Sequence, residues 1–286
     1  MRRNEAANSA VVVGIDGSRS AVNAALWAVD EAVIRDIPLR LVYAVNPDIQ
    51  SGTDAQAAAR DFAAAESAVR FVSTAIESTD KPIKIEVEIV QARPVRALVD
   101  ASRCAALLCL GFAGLHNSCH GQTGSTATAV TASAHCPVAM VHNFDPLMNG
   151  RRSIVVEVDD CSIGDGACLR GLDEARLRGA PLHIVTTTRS KQLEPCACSD
   201  GKQLAETDLR RRLSHWTRRY PDVHVEITAA KGNIVDYLAS NSGSIQLVVV
   251  SRERHGGPRE LVGPAGYAAV RKAGCSLLVC QSRTVL

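Results

Sequence analysis

Aromatic side chains make up only 3% of this 286-residue chain, so its cores must be filled by Val, Ala, Leu and Ile rather than by packed rings. Long apolar runs are missing too. The longest, Cys104–Leu115, has 12 residues including two glycines, whereas a membrane-spanning helix needs about 20. Two arginines follow Met1, but the apolar stretch Ala10–Ile15 stops at Asp16, too short for a secretory signal. A cytoplasmic location and no membrane partner are expected. Charge of one sign is also lacking: 32 basic against 30 acidic residues leave +2, which gives no support for a nucleic-acid partner. With 46% hydrophobic and 22% charged residues, a disordered chain is excluded and two globular cores are within reach. Ten cysteines are present, but their spacing offers no disulfide framework in a cytoplasmic chain of this size. Cys104, Cys109, Cys136, Cys275 and Cys280 lie on or beside apolar strands, where buried thiols are expected. Cys119, Cys196 and Cys198 are expected to be exposed. His116, Cys119 and His120 have a spacing that suggests a metal, but a loop lining a ligand pocket explains them at least as well, so no metal ligand is assigned; Ser125 has no evident base, so no catalytic residue is assigned.

What is present is a repeat spanning the whole chain. Residues 11–18 read Val-Val-Val-Gly-Ile-Asp-Gly-Ser and residues 154–161 read Ile-Val-Val-Glu-Val-Asp-Asp-Cys. Asp30-Glu31-Ala32 and Asp173-Glu174-Ala175 set the register of the helices that follow. Strands 38–45 and 181–188, helices 54–78 and 202–219, strands 83–90 and 223–229, and helices 95–103 and 234–242 continue in step. Apolar strands 106–111 and 245–251, then a loop, a helix and last strands 137–142 and 276–281, complete each half. Continuous apolar strands alternating with amphipathic helices predict a parallel sheet covered on both faces. The expected fold is α/β: two tandem doubly wound domains, each with a five-stranded parallel sheet. Residues 1–9 read as a flexible tail, 10–145 as the first domain and 152–286 as the second. The segment 144–152, with Pro146 and Gly150, reads as the linker. The last strands, as edge strands, are expected to pair with each other within the chain or in a homodimer. Residues 1–145 carry 12 basic and 15 acidic residues, and 146–286 carry 20 and 15, so the halves differ as −3 and +5.

Open parallel sheets bind ligands beyond the carboxyl ends of their strands, where strand order reverses. Two segments of the first half fall there. One is Gly14-Ile15-Asp16-Gly17-Ser18; the other is Gly111-x2-Gly114-x9-Gly124-Ser125-Thr126. Without Cβ atoms, Gly111 and Gly114 can adopt positive φ and approach a ligand closely. Gly124, Ser125 and Thr126 then open a helix whose N-terminal N–H groups and hydroxyls suit a phosphate. Neither segment is a Walker A loop or a G-x-G-x-x-G turn. Asp16 reads either as a ligand contact or as the cap of the first helix, a role that Ser18 can fill instead.

Gly111-x2-Gly114-x9-Gly124-Ser125, with "VVVGIDGS", "LWAVDEA", "RLVYAV" and "HCPVAMVH", resembles the ATP-binding universal stress proteins, closely over residues 10–143 and more loosely over 152–281. The tandem arrangement is similar to that of the two-domain members from mycobacteria. The resemblance implies the adenine nucleotide α-hydrolase-like fold and an ATP, with or without Mg²⁺, in the switch-point crevice. It places Gly14 and Asp16 beside the nucleotide, and Ala44 and Val45 against adenine through their backbone. Gly111 and Gly114 would follow the ribose and phosphates, Leu115 and His116 belong to the same loop, and Gly124, Ser125 and Thr126 would hold phosphate oxygens. It implies a nucleotide-dependent switch or sensor in stress or dormancy rather than an enzyme, with at most weak ATPase activity. The alternative is a member that binds no ATP and works through protein contacts.

The chain departs from that pattern in two places. The spacer Leu115–Thr123 has no Arg or Lys, offering His116, Asn117 and His120 instead, so weak or divalent-metal-dependent binding is expected. In the second half Ser251 and Arg254 replace the two glycines, Glu157 replaces Gly14 and Pro264 replaces Ser125. Pro264 removes both an N–H and a hydroxyl, so no intact ATP site is expected there, although Arg252, Arg254 and Arg259 could attract an anion.

Overall fold

Alternating runs of Val, Leu and Ala build the strands seen in the computed structural model, which describes residues 9–47, 55–114, 123–142, 144, 152–159, 165–187, 211, 214, 218–230, 232–254 and 256–281. The first half runs β1 (Ala10–Ile15), α1 (Arg19–Arg35), β2 (Leu39–Val45), α2 (Ala55–Glu77), β3 (Ile85–Gln91), α3 (Pro94–Ala101), β4 (Ala105–Gly111), α4 (Ser125–Ser133) and β5 (Val138–Val141). The second runs β6 (Ser153–Asp159), α5 (Asp165–Arg178), β7 (Leu182–Thr187), β8 (Val225–Ala230), α6 (Ile234–Ser240), β9 (Ile245–Ser251), α7 (Arg259–Val262), α8 (Pro264–Ala273) and β10 (Ser276–Cys280). The helix expected over 202–219 lies almost wholly outside the described residues, as do Cys119, Cys196, Cys198 and most of the linker.

Each half is a five-stranded parallel sheet, ordered β3-β2-β1-β4-β5 in the first and β8-β7-β6-β9-β10 in the second. The two join into one ten-stranded sheet through an antiparallel pairing of β5 with β10, Ala139 facing Leu278. The repeat extends to irregularities. The β1–β4 ladder shifts register between Ala10 and Val11, and the β6–β9 ladder shifts at the equivalent place, between Ser153 and Ile154. One face of the sheet packs under α1, α2 and α5, and the other under α3, α4, α6, α7 and α8. Among the described residues no helix is long and apolar enough to cross a membrane.

The seam between the halves is apolar on one side. Phe112, 1% exposed, packs its ring against Tyr267 of the second half, centroids 5.5 Å apart. On the opposite side it is ionic. Glu31 of α1 and Glu174 of α5, equivalent in the repeat, are both fully buried and share three arginines. Arg178 bonds Glu31 at 2.7 Å and also Glu174; Arg170 reaches Glu174 at 2.8 Å; Arg35 reaches Glu31 at 2.6 Å. Arg178 also lies over the Trp27 ring, 4.8 Å from its centroid, a cation–π contact that covers the cluster. Burial alone would raise the Glu174 carboxyl, but Arg178 and Arg170 outweigh it and bring it down to about 2. Burial and the neighbouring Glu174 push Glu31 the other way, against the pull of the arginines.

One cysteine departs from expectation. Cys109, Cys136, Cys275 and Cys280 are buried, but Cys104 is exposed, because a short 3₁₀ turn at Ser102–Cys104 lifts it off the start of β4. Burial pushes the thiols of Cys136, Cys275 and Cys280 up to about 12. Of the six described cysteines, Cys104 is therefore expected to be alkylated by iodoacetamide in the native protein, and the other five only on unfolding. Peptide mapping by mass spectrometry checks this.

Candidate functional site

The site is built where β1 hands over to α1. Gly17, with φ 82, makes a turn that a side chain would strain. Ser18 then caps α1, its hydroxyl accepting from the Ala21 N–H at 3.1 Å. The capping role thus falls to Ser18, while the Asp16 carboxylate accepts from the Ser18 N–H at 2.9 Å and lines the cleft beyond β1.

Facing it is the segment after β4. Gly111 and Gly114 are glycines for a different reason from the one expected: neither has positive φ. At Gly111 a Cβ would lie 2.6–2.8 Å from the hydroxyl, Cβ and backbone carbon of Ser20, so the start of α1 can pass only over a glycine. At Gly114 a Cβ would lie 3.0 Å from the Asp16 carboxylate, narrowing the cleft. The Gly124 N–H donates to the Phe112 carbonyl at 3.2 Å, which aims the start of α4 into the same space. Gly124, the residue that precedes α4, has no side chain with which to cap it, and the electropositive first turn of the helix suits an anion.

These segments enclose a cleft of ≈ 450 Å³, within the range of about 300–1,000 Å³ usual for small-molecule sites. It sits at the carboxyl ends of β1, β2 and β4, where strand order reverses between β1 and β4. Nine of the eleven residues singled out from sequence line it: Gly14, Asp16, Ala44, Val45, Gly111, Gly114, Gly124, Ser125 and Thr126. The other two, Leu115 and His116, lie outside the described residues.

Sequence reasoning missed Tyr43, Asn46 and Asp61, which also line the cleft. Tyr43 and Asn46 flank Ala44 and Val45 at the end of β2, so that strand end carried a signal. Asp61 had none, since only the packing of α2 over β2 brings it in. Burial, then the Asp16 and Asp61 charges, raise the Tyr43 phenol above its ordinary value. Apolar walls come from Val42, Leu98 and Leu110. Asp16 and Asp61 are the only charged side chains among the described lining residues.

The second half holds a different arrangement at the equivalent place. The sequence leads to the expectation that Arg254 attracts an anion, and the structure overturns it. Arg254 is 5% exposed and ion-paired to Glu157 at 2.5 Å. Arg252 is likewise drawn inward, donating to the Ala134 carbonyl of the first half at 2.7 Å.

Comparison with known proteins agrees with this architecture. The model of the universal stress protein family matches twice, at residues 8–142 and 150–281. The chain is 47% identical over 272 residues to universal stress protein Rv2028c of Mycobacterium tuberculosis strain H37Rv, covering 94% of this chain and 95% of that one. It is 43% identical over 278 residues to Rv3134c of the same strain, covering 96% of each. Among solved structures, a universal stress protein from Archaeoglobus fulgidus DSM 4304 shares the fold, with a TM-score of 0.70 at 13% identity over 96% of this chain and 97% of that one. The chain belongs to the universal stress protein family, in its tandem two-domain form.

Proposed function

We propose that the first half binds an adenine nucleotide, ATP with Mg²⁺, and that the chain acts as a nucleotide-dependent switch or sensor in a stress or dormancy response. The observation that carries this reading is the N-terminus of α4, entered from a glycine and opening into a cleft with glycine-lined walls. Backbone N–H groups of Ser125 and Thr126, with their hydroxyls, would meet phosphate oxygens. Val42, Leu98 and Leu110 would cover the flat face of the base, and the backbone of Ala44 and Val45 would meet its edge. Asp16 would lie beside the ribose.

Electrostatics adds a condition. A bare triphosphate would face Asp16 and Asp61 with no lysine or arginine among the described lining residues. A divalent cation offsets that repulsion, so chelation by EDTA is expected to weaken ATP binding by about tenfold or more, the equivalent of roughly 1.4 kcal/mol. The same charge pattern favours a second reading, in which the cleft takes no ATP and the chain works through protein contacts.

Gly124→Val separates the two. Backbone φ −57 and ψ 140 at Gly124 suit any residue, and its nearest obstacle to a Cβ is the Gly114 nitrogen at 3.5 Å. The variant is therefore expected to fold normally while its methyl groups fill the phosphate end. Denaturing the purified parent should release nucleotide, calorimetry with Mg²⁺ should show one ATP per chain, and both signals should be lost in the variant. A parent with neither signal would establish the non-binding reading. Steady phosphate release abolished by the substitution would show a slow ATPase.

A further inference from the structure

Strand register makes the two halves directly comparable. Gly14 of β1 pairs beside Val42 of β2, and Glu157 of β6 pairs beside Val185 of β7, so Glu157 stands where Gly14 does and Thr187 where Ala44 does. The motif after the fourth strand of each half places Arg254 at the position of Gly114. The three residues are the ones whose first-half counterparts have little or no side chain and border the cleft.

In the second half these side chains meet. Arg254 and Glu157 are both buried and form a two-pronged ion pair, Nε to Oε2 at 2.5 Å and Nη2 to Oε1 at 2.8 Å. Nη1 of Arg254 donates to the Gly257 carbonyl at 2.9 Å and to Glu260 at 3.0 Å. The Thr187 hydroxyl donates to Glu157 at 3.1 Å. Gly256 and Gly257, with φ 79 and 63, turn the chain tightly back so that its carbonyl reaches the guanidinium. The arrangement joins β6, β7, the loop after β9 and α7, as a ligand would join the matching elements of the first half. It uses both edges of the guanidinium, leaving that group nothing with which to grip an outside anion.

We propose that the Glu157–Arg254 ion pair takes the place of a ligand in the second half and holds its cleft permanently shut, so that the chain responds to nucleotide through its first half alone. The ion pair and its contacts stand on the geometry of the second half; only the clause about nucleotide response rests on the reading of the first half as an ATP site.

Two measurements test it. The first is hydrogen–deuterium exchange on the intact native chain with and without Mg²⁺–ATP. Protection is expected in 10–16, 42–46 and 123–127, and none in 154–159, 184–187 and 251–262. ATP-dependent protection in the second set would overturn the proposal. Protection in neither set would remove the ATP reading of the first half and leave the ion pair to the second measurement. That is a double-mutant cycle of Glu157→Leu, Arg254→Met and both together, followed by thermal unfolding. Arg254→Met strands the buried Glu157 carboxylate, and Glu157→Leu leaves buried Arg254 only the more exposed Glu260 as counter-charge, so a fall of about 10 °C in Tm is expected for each. The double variant, with two apolar side chains of similar reach, should recover at least half of that loss. Single losses that simply add in the double variant would show that the pair does not hold the cleft. Should either single variant fail to fold, the exchange measurement on the native chain still decides the proposal.

Discussion

Glu174→Gln should lower the unfolding midpoint by about 10 °C, the equivalent of roughly 3–5 kcal/mol for a chain of this size. Glutamine keeps the shape of the side chain and removes only its charge, so cavity formation contributes little. What changes is the balance at the seam. Arg35, Arg170 and Arg178 share two fully buried carboxylates, and after the substitution they share one. Buried guanidinium groups without counter-charges are costly, far more than a surface ion pair, whose loss amounts to about 1 kcal/mol or less. Thermal unfolding at pH 7 measures the effect, and a loss below 1 kcal/mol would mean that water reaches the cluster. The pH dependence has a definite sign. The Glu174 carboxyl sits at about 2 in the folded chain against an ordinary 4.5, so its contribution is full above 4.5 and disappears as pH falls from there towards 2. The difference between parent and variant should therefore shrink over that interval. With its like-charged neighbour gone, Glu31 should also ionise at lower pH in the variant.

Gly266→Ala should be damaging although alanine is the better helix former. Gly266 lies inside α8, where the exchange would ordinarily stabilise by up to about 1 kcal/mol. Here the added Cβ would sit 2.3 Å from the Glu260 carbonyl oxygen, 2.3 Å from the Leu261 Cα and 2.4 Å from the Leu261 carbonyl oxygen. All three are backbone atoms, so no rotamer change relieves the overlap and α7 must move off α8. A displacement of that kind costs about 3 kcal/mol or more, which outweighs the propensity gain. Tyr267, next in the helix, carries the ring contact with Phe112 across the seam, so the disturbance should reach the first half. Denaturant unfolding and limited proteolysis read the outcome; a variant as stable as the parent would show that the two helices can separate freely.

Much of the architecture is legible in the sequence because the repeat reports it twice. Strands of Val, Ile and Leu alternate with helices at matching offsets, and even the register of α1 and α5 follows from Asp30-Glu31 and Asp173-Glu174. The cleft is legible because glycines and Gly-Ser-Thr at fixed spacing have few other uses, although the reason for Gly111 lies in the path of α1 rather than in its own φ. What the sequence hides is partnership at a distance. Glu31 and Arg35, or Glu174 and Arg178, read as ordinary surface pairs four residues apart on a helix; only the joining of the halves buries them together. Glu157 and Arg254 lie 97 residues apart, and nothing local links them. Asp61 enters the cleft from a helix whose placement depends on tertiary packing alone.

The antiparallel joint of β5 and β10 also bears on abundance. An association between separate chains is lost on dilution, when their concentration falls below the dissociation constant. Here seven residues, 145–151, separate the last described residue of one half from the first of the other. A short tether of this kind sets an effective concentration in the millimolar range. The halves should therefore stay assembled whether a cell makes few copies or many. The joint also occupies the strand edges through which such sheets would otherwise associate, leaving β3 and β8 as the outer rims. Regulation of the amount of protein would then change how many assembled units there are, without changing what each unit is.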